Sequence, residues 1–248
     1  LPVLFVSGGP NTNDAPANHL LHHTIAKHDF YQSSKCFEPV VEKVLVIRHA
    51  EDAPRMIDEA VTTCLRTSKP VYLEIACNLA KAAIPAPAPL TLPPAVPTSD
   101  PLSLASAADA LARRLSEAVK PVLIAGVKIR SLKAQVEFRK LAESLGCAVA
   151  VMPDAKGLFP ESHPQFIGTY WGEVSSADCG EIVESSDCQL FVGPIFNDYT
   201  TVGWTILTPA SKLIHIGPDT VAFDGAHFSD VQLRDVLAAL ASKVSKKD

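Results

Sequence analysis

The sequence predicts an α/β fold: a complete doubly wound parallel-sheet domain preceded by an incomplete parallel α/β domain. Three observations carry this. Short apolar runs without polar alternation, such as "KVLVIRH" and "KLIHIG", have the pattern of parallel strands covered on both faces. Between them lie amphipathic stretches with apolar residues at helical spacing. Finally, "IPAPAPLTLPPAVPTSDP" places seven prolines between Pro85 and Pro101, where neither a helix nor a central strand can run. Residues 84–102 are therefore expected to be an extended linker between residues 1–83 and 103–248.

In the first part, "PVLFVSGG" (2–9), "KVLVIRH" (43–49) and "PVYLEIACNL" (70–79) read as parallel strands. After the "SGGPNTND" turn, Leu20, Leu21 and Ile25 would form the buried face of a helix, with histidines flanking them. Between the second and third strands, Asp52 is the expected N-cap of a helix with Pro54 in its first turn. Ile57, Val61, Cys64 and Leu65 share one face of it. Three strands and one long helix cannot cover both faces of their own sheet. Because the chain also opens inside a strand-like run, it reads as a segment of a longer polypeptide.

The second part opens with a helix presenting Leu104, Ala108, Leu111, Leu115 and Val119, followed by the strand "PVLIAG" (121–126). A second helix carries Ala134, Phe138, Leu141 and Leu145 and stops at Gly146. Strands "CAVAVM" (147–152), "CQLFVG" (188–193) and "KLIHIG" (212–217) follow. A capping box from Ser229 to Gln232 would open the last helix, which buries Leu233, Val236, Leu237, Leu240 and Val244.

A net charge of -5 with scattered lysines and arginines leaves no electrostatic footprint for nucleic acid. No apolar run approaches the roughly 18–20 residues of a membrane span, and "LPVLFV" lacks the basic flank of a signal peptide. A soluble protein of the cytoplasm is expected. The six cysteines include no C-x-x-C pair and read as small core residues in a reducing compartment.

There is no G-x-G-x-x-G, P-loop, G-x-S-x-G or H-E-x-x-H, so the common nucleotide, hydrolase and zinc-protease devices are absent from the sequence. The distinctive segment is "NHLLHHTIAKHDF", residues 18–30, which holds four of the eight histidines. His19 with His22 or His23 has the spacing of two metal ligands on a helix, but nothing forces a third ligand such as His28 or Asp29 to converge. The alternatives are ordinary surface histidines or an acid/base pair. An imidazole pair placed after a glycine turn, at a strand's carboxyl end, is well situated to move protons.

"SGGPNTNDAPANHLLHHT" resembles the segment of thiamine-diphosphate-dependent pyruvate decarboxylases that carries their adjacent histidine pair. The resemblance continues through "KPVYLEIACNLA", "KGLFPESHPQFIGTYWGEVS" and "FNDYTTVGW", in order, and spans almost the whole chain. It implies that residues 1–83 are the later part of a pyrimidine-binding domain and residues 103–248 a central domain. By this resemblance His22 and His23 handle protons, and Tyr199 is the tyrosine that the central domain extends toward the site. For Tyr199 the alternative is an aromatic packed on Trp204. His19 and His28 match no catalytic position of the family.

The implied reaction is non-oxidative decarboxylation of a 2-keto acid, pyruvate to acetaldehyde and carbon dioxide, with thiamine diphosphate and magnesium in the full-length enzyme and a homo-oligomeric assembly. The family's Gly-Asp-Gly motif and following Asn-Asn pair have no counterpart, since the sequence contains neither a Gly-Asp nor an Asn-Asn dipeptide. The chain alone is therefore expected to bind no cofactor and to be inactive without the remaining decarboxylase segments. The stretch "AGVKIRS" lacks the regulatory cysteine of yeast-type members. Two alternatives are a non-catalytic binding or assembly protein derived from the central domain, and a nucleotide-binding central domain.

Overall fold

A computed structural model describes residues 1–246 except 85, 87, 88, 90–96 and 207. The chain divides into two compact units, Leu1–Ala95 and Val96–Asp248. Most of the proline-rich stretch expected to be a linker lies outside the described residues.

The first unit is built from strands β1 (Leu4–Gly9), β2 (Lys43–Ile47) and β3 (Val71–Ala76) and helices α1 (Gln32–Phe37) and α2 (Ala53–Thr67). The strands are parallel in the order β1-β3-β2, so each connection has to cross over the sheet. Alternation along β3 divides its side chains between the two faces. Val71 and Leu73 pack with Leu45 and Ile47 against Ala60 and Cys64 of α2. On the other face Tyr72 stacks on Phe37 of α1, ring centroids 4.1 Å apart. That helix is only six residues long, and Phe5 and Val6 of β1 remain exposed.

Local expectations fail here in three places. Residues 10–30 form turns rather than a helix, and Leu20 and Ile25 are exposed instead of buried. Asn and Asp side chains there bond to nearby backbone, as the Asn13 N–H does to Asn11 Oδ1 at 2.9 Å, and Asn18 and Ala26 take positive φ; both compete with helix. Asp52 does not cap α2 with its side chain, because a 3-10 turn at Ala50–Asp52 leads into the helix and turns the carboxylate toward Arg55. Leu65 is exposed, and Thr63 takes the buried position beside Cys64.

The second unit comprises α3 (Pro101–Glu117), β4 (Pro121–Ala125), α4 (Lys128–Ser131), α5 (Gln135–Leu145), β5 (Ala148–Val151), β6 (Phe166–Thr169), α6 (Cys179–Ser185), β7 (Cys188–Val192), β8 (Leu213–Ile216), β9 (Thr220–Phe223), β10 (Ala226–Ser229) and α7 (Leu233–Ala241). Its seven-stranded sheet runs β10-β9-β8-β7-β4-β5-β6. The five strands from β8 to β6 are parallel, and β9 and β10 add an antiparallel edge. The core strands are fully buried, as their unbroken apolar sequences require. Helix α7 packs against both α3 and α5.

Asp100 caps α3 by accepting the Ser103 N–H at 2.8 Å, and Gly146 ends α5 at φ 66°. Val119 lies beyond α3 and is exposed, since the chain has already turned toward β4. The expected capping box at α7 is absent: the helix begins after Gln232, whose N–H is accepted by Ser99 Oγ at 2.8 Å. A long-range partner replaces the local one. Of the six thiols, all free, Cys36 and Cys77 are exposed, so only the other four are core residues.

Candidate active site

The histidine-bearing loop leaves the carboxyl end of β1 at Gly9 and returns at α1. A Cβ on Gly9 would lie 2.6 Å from Cγ and 2.7 Å from Cδ of Glu74, so glycine is needed where β1 passes the β3 side chain. Beyond the glycines, the Thr12 N–H donates to Asn78 Oδ1 at 3.1 Å, and Asn78 Nδ2 donates to Thr12 Oγ1 at 2.9 Å. These bonds tie the loop to the turn after β3. His19 N–H donates to the Asp14 carbonyl at 3.0 Å, and its Nδ1 lies 3.3 Å from Asp14 Oδ1. Thr24 Oγ1 closes the next turn on the Leu21 carbonyl at 2.8 Å.

On this scaffold His22 and His23 stand exposed, their rings 5.0 Å apart and edge to face at 89°. Adjacent imidazoles in solvent, at the carboxyl edge of a parallel sheet, can accept and release protons on a molecule placed against them. His19 is held by Asp14 instead, and His28 is exposed elsewhere on the loop. Among the described residues no group of three or more His, Cys, Asp or Glu side chains could hold a metal ion.

Tyr199 belongs to the second unit, on the loop after β7. Asn197 organises that loop: its Oδ1 accepts the Thr200 N–H at 2.8 Å, and its carbonyl accepts the Thr201 hydroxyl at 2.7 Å. Val202, Gly203 and Trp204 follow with positive φ. The aromatic partner of Tyr199 is Trp171 rather than Trp204. Their rings are 5.2 Å apart, and Trp171 Nε1 donates to the Tyr199 carbonyl at 2.6 Å. Tyr199 is 61% exposed.

In the central sheet the strand order reverses at β4, between β5 and β7, the position where open α/β sheets bind ligands. Here the two loops close on each other. Gly126 N–H donates to the Val192 carbonyl at 2.8 Å and Lys128 N–H to the Gly193 carbonyl at 3.0 Å. A Cβ on Gly126 would fall 2.5 Å from the carbonyl carbon of Gly193. A cavity of about 570 Å³ lies instead at the amino ends of β4 and β5, lined by Leu115, Lys120, Val122, Cys147 and Lys243. Burial pushes the Cys147 thiol up to about 12, far from a reactive thiolate.

The family model of the thiamine pyrophosphate enzyme central domain matches residues 108–243. The chain belongs to the thiamine pyrophosphate enzymes. Pyruvate decarboxylase 1 of Nicotiana tabacum is 49% identical over 249 residues, covering 98% of this chain and 59% of that protein. Pyruvate decarboxylase 2 of Oryza sativa subsp. japonica is 47% identical over 251 residues, covering 99% of this chain and 41% of that protein. Pyruvate decarboxylase 3 of Arabidopsis thaliana is 47% identical over 249 residues, with 98% and 42% covered. The chain thus spans between 41% and 59% of the length of these curated relatives.

The family is named for its diphosphate cofactor, thiamine pyrophosphate. Sequence reasoning misses Asn78, Arg48 and Glu74, which meet the two ends of the loop. A carboxylate inside the otherwise apolar strand "PVYLEIA" is the signal that marks the last of them.

Proposed function

We propose that residues 1–248 supply the histidine-bearing segment and the central domain of a 2-keto acid decarboxylase that converts pyruvate to acetaldehyde and carbon dioxide. The observation that carries this reading is identity of 47–49% to pyruvate decarboxylases over nearly the entire chain. The loop geometry supports it: the adjacent imidazoles face outward from a hydrogen-bonded loop, where they can serve a reacting centre assembled against the sheet's carboxyl edge. His22 and His23 donate and accept protons at the substrate-derived carbon and oxygen. Tyr199 is the candidate hydroxyl donor carried by the second unit.

Thiamine diphosphate, when bound, supplies the electron sink for loss of carbon dioxide. Its diphosphate and magnesium are held by other segments of the enzyme, so residues 1–248 by themselves bind no cofactor and do not turn over. The assembled enzyme is a homo-oligomer of the cytoplasm. The central domain takes no nucleotide at the β4 switch point, a reading favoured by the packing of Gly126 on Gly193.

Exchange of residues 1–248 for the matched segment of Arabidopsis thaliana pyruvate decarboxylase 3 tests the assignment. Pyruvate-dependent acetaldehyde formation within about tenfold of the parent, roughly 1.4 kcal/mol of barrier, is expected. A folded chimera that binds thiamine diphosphate and releases no acetaldehyde from pyruvate rules the assignment out. Titration of thiamine diphosphate and magnesium into residues 1–248 tests the division of labour, and tight binding contradicts it.

A further inference from the structure

Both ends of the histidine loop meet at one pair of charged residues, a buried Glu74 and a half-buried Arg48. At the start of the loop Gly9 lies directly on the Glu74 carboxylate, which is 1% exposed. At its end Arg48 Nη2 donates to the Phe30 carbonyl at 2.9 Å, and the guanidinium sits 4.7 Å from the centre of the Tyr31 ring. The two side chains face each other, Arg48 Nη2 to Glu74 Oε1 at 3.8 Å, while Tyr72 donates its hydroxyl to Glu74 Oε2 at 3.1 Å. Arg48 Nε and Glu74 Oε1 are buried without a hydrogen-bond partner.

We propose that Glu74 and Arg48 are positioning residues, a largely buried clamp that closes the base of the loop and fixes the His22–His23 pair. A buried ion pair is a poor route to stability, because well-packed apolar residues do as well or better. A glutamate in the interior of an apolar strand is better accounted for by the placement that it enforces. The planar fork of arginine suits this role, since one guanidinium reaches a carboxylate, a carbonyl and an aromatic face together.

The consequence for proton transfer rests on the decarboxylase reading above; the clamp itself does not, and it is measured without turnover. The readout is the nuclear Overhauser effect between the His22 and His23 rings in residues 1–248, assigned with H22Q and H23Q. Amide signals of Leu45 and Leu73 report whether the first unit is folded. Arg48→Met is expected to reduce the inter-ring effect at least about fivefold and Glu74→Leu to do the same, with Arg48→Lys intermediate. Tyr31→Leu leaves the ion pair intact, removes only the ring over the guanidinium, and is expected to give about a twofold loss. That variant carries the test if the charge deletions unfold the unit. An inter-ring effect unchanged in folded Arg48→Met, or in folded Tyr31→Leu where the charge variants do not fold, overturns the clamp.

Discussion

Replacing Gly126 with alanine adds one methyl group where the ends of β4 and β7 touch, and its cost can be worked from the local geometry. The new Cβ would lie 2.5 Å from the Gly193 carbonyl carbon, whereas carbon atoms rest at about 3.5–4.0 Å. The loops must therefore separate by about 1 Å, at the expense of the Gly126 N–H bond to Val192, now 2.8 Å, between buried residues. Overpacking of this kind costs about 1–3 kcal/mol, and a buried backbone group left unpaired about 1–3 kcal/mol more. A loss of about 2–6 kcal/mol is expected, a large share of a typical domain's stability of about 5–15 kcal/mol. Both tryptophans, Trp171 and Trp204, lie in the second unit, so intrinsic fluorescence during urea unfolding follows that unit separately from the first. With a slope of about 1–3 kcal/mol per molar urea, the midpoint should fall by about 0.7 M or more. Gly157→Ala is the control: its Cβ would meet nothing within 4 Å, and only the φ of +80° penalises it, by about 1–2 kcal/mol. A Gly126→Ala midpoint within about 0.2 M of wild type would refute the packing argument and reopen the switch point to a ligand.

Further outcomes follow from other contacts. Burial raises the Asp187 carboxyl, but the N–H groups of Val119 at 2.6 Å and Lys120 at 2.8 Å more than offset this and hold it below the usual aspartate range. The stabilisation is therefore complete above the unfolded value near 4 and fades as pH falls through the depressed folded value. Asp187→Ala should cost about 1–2 kcal/mol at pH 7 in urea unfolding, and a penalty that grows below pH 4 would contradict the sign. Iodoacetamide at pH 8 should modify Cys36 and Cys77 in the native chain and spare Cys147 and Cys179, whose thiols burial pushes up to about 12 and about 11; peptide mass spectrometry showing early Cys147 labelling would be the contrary result. Asn78→Ala removes both bonds to Thr12 and should speed exchange of the Thr12 amide, and a protection factor unchanged from wild type would show that the tether does not hold the loop.

The parallel core was legible because its strands, buried on both faces, leave unbroken apolar runs such as "PVLIA" and "CQLFV". Helix faces were legible where periodicity and burial coincide, as at Phe138 and Leu141. The edge was harder to read. The β9–β10 hairpin is short, and "AHFS" is mostly exposed, so it carries no apolar signature. Caps failed for a different reason: Ser99, more than a hundred residues away in sequence, takes the partner that the Ser229–Gln232 spacing assigns locally. At the candidate site the histidine pair stood out by composition and resemblance. Its scaffold did not, since the contacts of Glu74 with Gly9 and of Arg48 with Phe30 join residues that only the folded sheet brings together.

On the proposed function, the adjacent imidazoles of His22 and His23 are the proton-handling groups of this chain. In the Arabidopsis chimera, kcat for acetaldehyde formation from pyruvate should fall about 10²–10⁴-fold in H22Q and in H23Q, the usual contribution of a positioned acid or base. The thermal midpoint should be unchanged, because both side chains are exposed, and Tyr199→Phe should lower kcat less. Retention of kcat within about twofold in the H22Q/H23Q double variant would contradict the claim.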